Sequence, residues 1–382
     1  MKLKPSCTFN YAATELYTKA TRAYFSISNV LYTHKKWPVQ HAMGIFDTFV
    51  SPAALYASEI VTPLNLPQKN FRNLESMLSS WENFQPKILN QKMCRLLLSV
   101  HRKTSRLAVL GELGRMPLLI RALVHTLKYE WHISNNVPPT SLVSLAMQEM
   151  KENVDTVSGW FNHVSKIKNI FKIPNFPSWY KPERVGNNIA QILKSNFEVF
   201  WKKQIARIKL GTDQVTDHNK LRFLLCIKNS FTIEPYISLV NNRNQRAWIS
   251  RLRTSSHRLH IETGRYTVPV TPINEHICKY CQSNEIDDEI HFLVRCNKFS
   301  IKRNCFFGKV GSISPNFEKL NDEEKVASML CPVDIRVAKI VNKFITIMVE
   351  ARKRLDRGEP IDIGNFTNNV INDTDSMDIT LD

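Results

Sequence analysis

The feature that most constrains the fold of this chain is a run of metal-ligand residues with the pattern C-x2-C-x9-H-x4-C. The four residues are Cys278, Cys281, His291 and Cys296. Two thiols separated by two residues can hold one ion from a tight turn, and a His and a Cys separated by four can complete a tetrahedron from a helical or looped return. Three of the chain's eight cysteines thus lie within one short span. The pattern predicts one zinc ion.

The predicted zinc site is structural, because four protein ligands fill a tetrahedron and leave no position for an activated water. His276 is an alternative ligand to His291, and Cys305 is an alternative to Cys296. We expect the intervening acids to be solvated loop charges or to orient His291 from outside the ligand set. These acids are Asp287, Asp288 and Glu289.

An arginine-rich segment directly precedes the motif. Residues 243–265 contain six arginines, two histidines and a single acid, Glu262. Apolar residues at Trp248, Ile249, Leu252 and Leu259 fall near helical spacing, which leaves the arginines on the other faces. Because guanidinium groups match phosphate geometry and stack on bases, we predict that this segment contacts nucleic acid; a solvated helix face is the alternative. The predicted contact residues are Arg243, Arg246, Arg251, Arg253, Arg258 and Arg265.

The arginine segment and the ligand motif together resemble the region downstream of the polymerase domain in LINE-type (non-LTR) retrotransposon reverse transcriptases. The most specific part is the run RLRTSSHRLHIETGRY followed by ICKYC and DDEIHFLVRC. Further similar stretches are residues 56–59, 98–105, 109–118 and 231–236, in the order that this family shows. The resemblance implies a protein that contacts RNA template or target DNA. A separately encoded catalytic part is an additional candidate partner.

The chain departs from this family in the residues of catalysis. A reverse transcriptase holds two divalent metal ions with carboxylates from a Tyr/Phe-x-Asp-Asp turn, and the only Asp-Asp pair here is Asp287-Asp288, inside the predicted zinc loop. We therefore expect a non-catalytic fragment without fingers, palm or endonuclease. A restriction-like nuclease at Asp334, Glu350 and Arg352 is a disfavoured alternative. Asp334 comes one residue late for the motif, Arg352 replaces a lysine, and Glu350 and Arg352 fall in a helical pattern and not on a strand.

A thumb-like role for the first part of the chain gives a second predicted contact with nucleic acid. Arg102 and Lys103 lie in a basic link, residues 102–115, between two predicted helices, and His101, Arg106 and Arg115 are nearby. They can line a groove as a polymerase thumb does, or they can be solvated charges at the N-terminus of a helix. Gly111 and Gly114 predict a turn, since no Lys-Ser/Thr follows them in phosphate-loop spacing.

The charge of the chain favours a polyanionic partner. Lys and Arg total 52 against 34 Asp and Glu, for a net charge of +18, and the region from Glu359 onward contains no Lys or Arg. Binding of a polyanion by such a chain weakens steeply as salt rises. The alternative function, from a different class, is a zinc-stapled helical scaffold that binds proteins, as a degraded or domesticated remnant.

No membrane span or secretory leader is visible in the sequence. Residues 1–5 lead into a mixed polar segment, and no apolar run reaches the length of a span. We expect a chain of the nucleus or cytoplasm that is not secreted, where thiols stay reduced.

The predicted fold is mainly α: helical bundle segments, a small zinc-stapled module and a terminal helix. The predicted parts are a thumb-like helical region (1–133), a helix and Pro-rich linker (134–183), a helical basic segment (184–266), the zinc module (267–305), C-terminal helices (306–357) and an acidic disordered tail (358–382). Apolar periodicity predicts helices over residues 11–28, 38–52, 53–60, 84–100, 116–132, 141–171, 185–208, 326–329 and 333–355. Residues 221–226 are too short for periodicity to distinguish a strand from a buried helix, and we choose helix from the context.

Overall fold

The chain divides into two compact units with the boundary between Glu234 and Pro235. The structure, a computed structural model, describes residues 10–66, 71–79, 86–152, 159–210 and 221–359. This described part is mainly α-helical, as the sequence predicts, and its β structure consists of two isolated antiparallel bridges. None of the described helices combines the length and the apolar character that crossing a membrane requires.

Unit 1 consists of helices joined by turns and short loops. They are α1 (Asn10–Thr33), α2 (Val39–Phe49), α3 (Ser51–Ala54), α4 (Ser58–Asn65), α5 (Leu74–Ser79), α6 (Lys87–Leu98), α7 (Arg106–Glu112), α8 (Leu118–Asn136), α9 (Leu142–Glu152), α10 (Trp160–Phe171), α11 (Pro182–Leu210) and α12 (Arg222–Ile227). Helix α8 packs against both α4 and α11, while α1 packs against α2, α3 and α6.

Helices α8 and α11 supply much of the apolar core of unit 1. The buried residues of α8 recur at intervals of three and four, which places them on one face of the helix; they include Leu119, Ala122, Leu123, Leu127 and Trp131. Helix α11 buries Ile189, Leu193, Phe197 and Trp201 in the same way. The aromatic side chains Phe197, Phe200 and Trp201 of α11 are therefore core residues.

The predicted basic link, residues 102–115, contains a helix of its own. Helix α7 begins after Ser105, and its residues Ala108, Val109 and Leu110 are buried. Gly111 lies against the Trp201 ring, where an added Cβ would come within 2.6 Å of a ring carbon. Gly114 has a φ of +56°, and a Cβ there would lie 2.7 Å from the backbone nitrogen of Ile233. Both glycines thus allow close approach of other parts of unit 1.

Asp47 of α2 binds two arginines. It accepts a hydrogen bond from Arg115 at 2.7 Å and another from Arg121 of α8. Burial raises the pKa of Asp47, but the two arginines and Ser51 lower it by more, so the pKa lies below its usual value. Arg115 is also stacked over the Phe46 ring and is only 9 % exposed. The prediction that Arg115 lines a nucleic-acid groove is therefore wrong, because its guanidinium is held inside unit 1.

Unit 2 is organised around its last helix. Its helices are α13 (Pro235–Leu239), α14 (Arg243–Arg253), α15 (His260–Thr263), α16 (Ser300–Ile313), α17 (Asp322–Leu330) and α18 (Ile335–Asp356). Helix α18 packs against α13, α14, α16 and α17 and buries an apolar face that includes Val341, Ile345 and Met348. The Phe306 ring of α16 stacks on Phe344 of α18, with ring centroids 4.0 Å apart.

Several elements differ from the sequence prediction. The predicted helix over 53–60 is broken at Ala57, whose φ of 52° ends one helical segment and begins another. Helix α16 was not predicted, and its buried side chains are limited to Arg303, Phe306 and Val310, which do not make a continuous apolar stripe. The predicted basic segment 184–266 spans the boundary between the units. Residues 84–85, 153–158 and 360–382, which enter other predictions, lie outside the described residues.

Candidate metal centre and basic surface

Four side chains of unit 2 converge with the donor atoms of a tetrahedral metal site. The ligand atoms of Cys278, Cys281, His291 and Cys296 all lie within 4.8 Å of one another, and Cys281 Sγ is 3.3 Å from His291 Nε2. Zinc bonds of about 2.3 Å to sulfur and 2.0–2.1 Å to nitrogen require similar separations between ligands. All but Cys281 are buried. The residues present therefore fit a metal ion held by four protein ligands.

The local backbone explains how the two ligand pairs are presented. Ile277 pairs with Ile286 in an isolated bridge, and Cys278 N donates to Glu285 O at 2.9 Å, which closes the loop that carries the first two thiols. His291 and Cys296 mark the two ends of a single π-helical turn, residues 291–296, closed by the bond from Cys296 N to His291 O at 2.8 Å. Such turns are uncommon and recur at functional sites.

Neither alternative ligand belongs to the cluster. The Nε2 atom of His276 lies 3.0 Å from Thr271 O, and the imidazole packs where a Cβ on Gly264 would lie. Cys305 is exposed on α16. The structure thus brings together the four residues of the C-x2-C-x9-H-x4-C motif and leaves out the two substitutes.

A carboxylate that the sequence analysis did not single out orients the histidine. Glu285 Oε2 lies 2.7 Å from His291 Nδ1, which leaves Nε2 to face the other ligands. A carboxylate in this position is the usual partner of a metal-binding histidine. Asp288 contacts His291 from outside the ligand set, as expected, but it does so through the backbone. Its side chain accepts a hydrogen bond from the backbone nitrogen of His291 at 2.8 Å. Glu285 was missed because its spacing to His291 carries no periodic signal.

Asp287 and Glu289 are buried, so the expectation that they are solvated or orient His291 is wrong. Glu289 lies 2.8 Å from His257 Nε2, and both side chains are almost fully buried. Asp287 pairs with Arg352 of α18, whose Nη1 lies 3.1 Å from Oδ2. The two acids thus fasten the ligand loop to other parts of unit 2.

Arg352 also faces the metal cluster itself. Its Nη2 atom lies 3.9 Å from Cys278 Sγ, and its guanidinium lies over the rings of Tyr280 and Phe292 at 4.6 and 4.5 Å. A guanidinium beside a thiolate offsets the negative charge that three thiolates bring to a metal site. The sequence analysis did not predict a contact between Arg352 and the ligand loop.

The ligands influence one another's protonation. A hydrogen bond with Cys296 and another with His291 hold the pKa of Cys278 well below the usual thiol range, against the effect of burial. Burial lowers the pKa of His291, but its contacts with Cys278 and Glu285 outweigh this and raise the pKa to about 9. A metal ion therefore has to displace a proton from His291 at neutral pH.

Three of the predicted nucleic-acid contacts are buried inside unit 2. The guanidinium of Arg246 donates to Val240 O at 3.0 Å and Asn241 O at 2.7 Å. Arg253 donates to Leu330 O at 3.1 Å and lies over the Tyr236 ring. Arg243 is 5 % exposed. The prediction that Arg243, Arg246 and Arg253 contact nucleic acid is wrong, because these side chains stabilise the fold from within.

Arg251 and Arg258 both reach the surface, and their positive charges are close enough to influence each other. Arg258 is exposed, and Arg251 is half-buried with its guanidinium 4.6 Å from the Trp248 ring. Partial burial and then the positive charge of Arg258 lower the pKa of Arg251. Two guanidinium groups that repel each other make a surface on which an anion is favoured. Arg265 contributes less, because it donates to Ile261 O at 3.1 Å and pairs with Glu262.

The segment that carries this surface is hydrogen-bonded to the ligand loop. His260 N donates to Asp287 Oδ2 at 2.9 Å, and Ile261 N donates to Asp287 O at 3.2 Å. The Nδ1 atom of His260 lies 3.1 Å from Ile277 O, next to the first ligand. Together with the His257–Glu289 pair, these bonds connect residues 257–261 to the loop that carries the four candidate ligands.

The predicted contacts of unit 1 are exposed. Arg102 and Lys103 lie in the turn between α6 and α7, and Lys103 N donates to His101 Nδ1 at 3.2 Å. The turn is positioned by Arg95, whose guanidinium donates to Thr104 O at 3.0 Å. Both side chains are exposed, and neither forms a salt bridge with the residues of unit 1 that the structure describes.

The disfavoured nuclease site is not assembled. Asp334 caps the N-terminus of α18 and pairs with Arg336 at 2.7 Å. Glu350 lies sixteen residues further along the same helix, which separates the two by about 24 Å at 1.5 Å per residue. Carboxylates so far apart cannot hold one metal ion.

Fold and site together define a mainly helical protein with a cluster of three cysteines and one histidine that could hold a metal ion, next to the exposed Arg258. Comparison of the chain with protein-family models, with curated proteins and with solved structures gives no match.

Proposed function

We propose that Cys278, Cys281, His291 and Cys296 bind one structural Zn²⁺. Three thiolates and one imidazole are the donors that zinc prefers, whereas magnesium and calcium prefer oxygen. Four protein ligands complete the tetrahedron, so the ion supplies folding energy and electrostatic support to the loop. Replacing the ion with Co²⁺ in the purified chain is expected to give the visible absorption of a tetrahedral thiolate site. Cys281→Ser is expected to lose this absorption and Cys305→Ser to keep it; the reverse result would contradict the ligand assignment.

We infer further that the chain binds nucleic acid, either RNA template or target DNA, through the surface of Arg251 and Arg258. The observation that supports this proposal is the set of hydrogen bonds between residues 257–261 and the ligand loop, because through them a bound metal ion would help to hold Arg258 in position. The excess of basic residues acts in the same direction. Phosphate contacts dominate such binding, with little readout of sequence.

The resemblance to the post-polymerase region of LINE-type reverse transcriptases belongs to the same proposal. In this view the chain handles nucleic acid for a separately encoded catalytic part, in the nucleus or cytoplasm. The Cys/His cluster and the exposed Arg258, within the run RLRTSSHRLHIETGRY, support it. Arg102 and Lys103 add a second contact from unit 1.

The test is binding of duplex DNA and structured RNA by fluorescence anisotropy across a salt series. The double variant Arg251→Ala/Arg258→Ala is expected to bind more weakly and to show a salt dependence that is shallower by about 1.4–1.8 units of slope, since each lost phosphate contact removes about 0.7–0.9. The matched control is Arg336→Ala/Lys339→Ala, which removes two exposed positive charges from α18 of the same unit.

The comparison of these two variants decides the assignment. If both double variants change the salt slope equally, binding depends on the net charge of the chain and is not localised to Arg251 and Arg258. If neither changes it while the wild type binds, the contacts lie elsewhere, and Arg102→Ala/Lys103→Ala tests unit 1. Metal chelation is expected to weaken binding by the wild type.

A second candidate function, a metal-stapled scaffold for proteins, is favoured by an exposed apolar loop directly after Arg265. Tyr266, Val268 and Val270 are between 62 and 99 % exposed. The loop is held in shape by Thr271 N, which donates to Gly264 O at 3.2 Å. Exposed apolar side chains on an ordered loop are typical of protein interaction sites. Protein capture that resists nuclease treatment and is lost in Val268→Asp/Val270→Asp would favour the scaffold.

A further inference from the structure

The Pro-rich segment between α10 and α11 carries a row of three aromatic side chains, Phe176, Trp179 and Tyr180, of which Trp179 is exposed and the other two are half-buried. Trp179 is 73 % exposed. Its ring centroid lies 4.5 Å from that of Tyr180, and Tyr180 lies 6.5 Å from Phe176. A tryptophan side chain is usually mostly buried, because burying the indole ring removes a large apolar surface from water. An indole this exposed is therefore unusual. The exposed indole therefore indicates that a ligand with a flat ring stacks on this row.

The segment holds this row in one place. Pro174 and Pro177 fix their own φ angles, which restricts the backbone before any partner binds. Trp131 of α8 donates its Nε1 hydrogen to Phe176 O at 3.3 Å, and Tyr180 N donates to Pro177 O at 3.1 Å. A row of rings that is fixed in advance loses little conformational entropy when a ligand stacks on it.

The surroundings of the row are positively charged. Lys172, Lys181 and Arg184 are exposed, and Glu183 is the single acid among residues 172–184. The guanidinium of Arg184 lies 4.1 Å from the Tyr180 ring centroid, so cationic and aromatic groups alternate on one surface. Alternating aromatic and basic groups suit a ligand that is both flat and anionic, as single-stranded nucleic acid is.

A cavity of about 230 Å³ opens beside this row, with Phe176 in its wall. Its apolar sides include Trp131 and Ile189, and its polar side includes the ion pair of Glu130 with Lys168 at 3.2 Å. The volume is below the roughly 300–1,000 Å³ of pockets for drug-sized ligands, so the cavity suits one ring system and not a whole nucleotide. The carboxylate and ammonium groups can face the hydrogen-bonding edge of a base.

We propose that residues 173–180 and this cavity bind single-stranded nucleic acid, with one unpaired base in the cavity and a neighbouring base stacked on Trp179. The site lies in unit 1 and depends neither on the metal centre nor on Arg251 and Arg258. Paired bases are already stacked and are excluded from it, so the site selects single strands over duplexes. An aromatic side chain of a protein partner is the competing occupant, and the basic residues around the row argue against it.

The test uses the full chain and a short oligonucleotide that carries one 2-aminopurine, whose emission falls when it stacks. The wild type is expected to quench this emission on the single strand and not on the duplex. Trp179→Ala is expected to weaken single-strand binding about tenfold and to restore emission, while Trp179→Phe stays within about threefold of the wild type, because the flat face is kept. Ser134→Leu, which narrows the cavity, is expected to reduce quenching as well.

The matched control is Tyr56→Ala, which removes an aromatic ring of unit 1 outside the row; Tyr56 is 65 % exposed, against 73 % for Trp179. It is expected to bind both strand forms as the wild type does. The proposal is overturned if Trp179→Ala binds the single strand like the wild type, if Tyr56→Ala loses as much, or if the row takes up only peptides. A failure of the nucleic-acid surface in unit 2 is seen separately, as an unchanged salt slope in Arg251→Ala/Arg258→Ala.

Discussion

Single residues in unit 2 show why a basic sequence does not map directly onto a basic surface. Arg246, Arg253 and Arg352 are all buried, and each binds backbone carbonyls or a carboxylate inside the unit. Burying a guanidinium group is costly, and hydrogen bonds and ion pairs inside the unit offset part of this cost. The positive charge that faces solvent is therefore smaller than the sequence of the arginine segment suggests.

The Arg352–Asp287 pair gives a prediction at this scale. Arg352→Met keeps the length of the side chain and leaves the carboxylate of Asp287 buried without its ion-pair partner, so we expect a loss of about 3 kcal/mol of stability in unit 2. The measurement is the urea midpoint of zinc release to a coloured chelator. Arg336→Met, exposed on the same helix, is the control and should shift the midpoint little. Equal midpoints for the two variants would show that the pair does not stabilise the ligand loop.

Asp47 gives a pH-dependent prediction in unit 1. Because Arg115 and Arg121 hold its pKa below the unfolded value, its stabilising effect is present above that value and is lost as pH falls through the lower, folded pKa. We expect Asp47→Asn to cost about 1 kcal/mol at neutral pH and to lose less stability than the wild type between about pH 5 and 2. Parallel stability curves from thermal unfolding would contradict this assignment.

The four candidate ligands could be predicted from the sequence, whereas the residues that hold the ligand loop in place could not. The spacing of Cys278, Cys281, His291 and Cys296 reflects local turn geometry, which a sequence records directly. Arg253 donates a hydrogen bond to the carbonyl of a residue 77 positions further along the chain, and a local sequence pattern cannot predict so distant a contact. Glu285 and Arg352 were missed for the same reason, since their roles depend on tertiary contacts.

Elements with one strongly apolar face were the most predictable. Helices α8, α11 and α18 bury side chains at intervals of three and four and agree with the predicted ranges to within a few residues. Helix α16 lacks such a face, so its apolar pattern gave no signal. The break between α3 and α4 depends on one residue, Ala57, in a left-handed conformation that its sequence does not signal.

The connection after α7 gives a prediction at the scale of elements. Gly114→Ala introduces a Cβ at a positive φ and against the backbone of Thr232 and Ile233, so we expect unit 1 to lose about 1–3 kcal/mol. Gly308→Ala, within α16 and with nothing within 4 Å of the added Cβ, should be neutral or stabilising by up to about 1 kcal/mol. Thermal unfolding of both variants checks this; the same sign for both would show that the clash is relieved by movement of the turn.

At the scale of the whole molecule, the division into two units was not predicted. The sequence boundaries were set by changes in composition, whereas the chain passes from unit 1 to unit 2 between Glu234 and Pro235, where composition does not change. Glu234 itself is bound within unit 1, by a salt bridge with the buried Lys228 and by a bond from its nitrogen to Glu112 O at 3.0 Å. Because no flexible linker separates the two units at this point, the amino-acid composition does not reveal the boundary.

The two units predict a split response to metal removal. The four ligands lie in unit 2, so chelation is expected to increase hydrogen exchange across residues 257–296 and in α18, and to leave the core of α8 and α11 protected. Mass spectrometry of exchanged peptides measures both regions in one experiment. Equal deprotection of α8 would show that the metal stabilises the chain as a whole.

The close approach of three thiols in the ligand cluster also has a consequence for redox chemistry. Cys278 and Cys296 share a hydrogen bond, and Cys281 lies within the same 4.8 Å cluster. A bound ion occupies the sulfur lone pairs and keeps the thiols apart from oxidants, while the metal-free chain presents a thiolate next to a thiol, the arrangement from which a disulfide forms most readily. Oxidised chain would then be unable to take zinc back, so air and a chelator together should inactivate the site irreversibly unless a reductant is present.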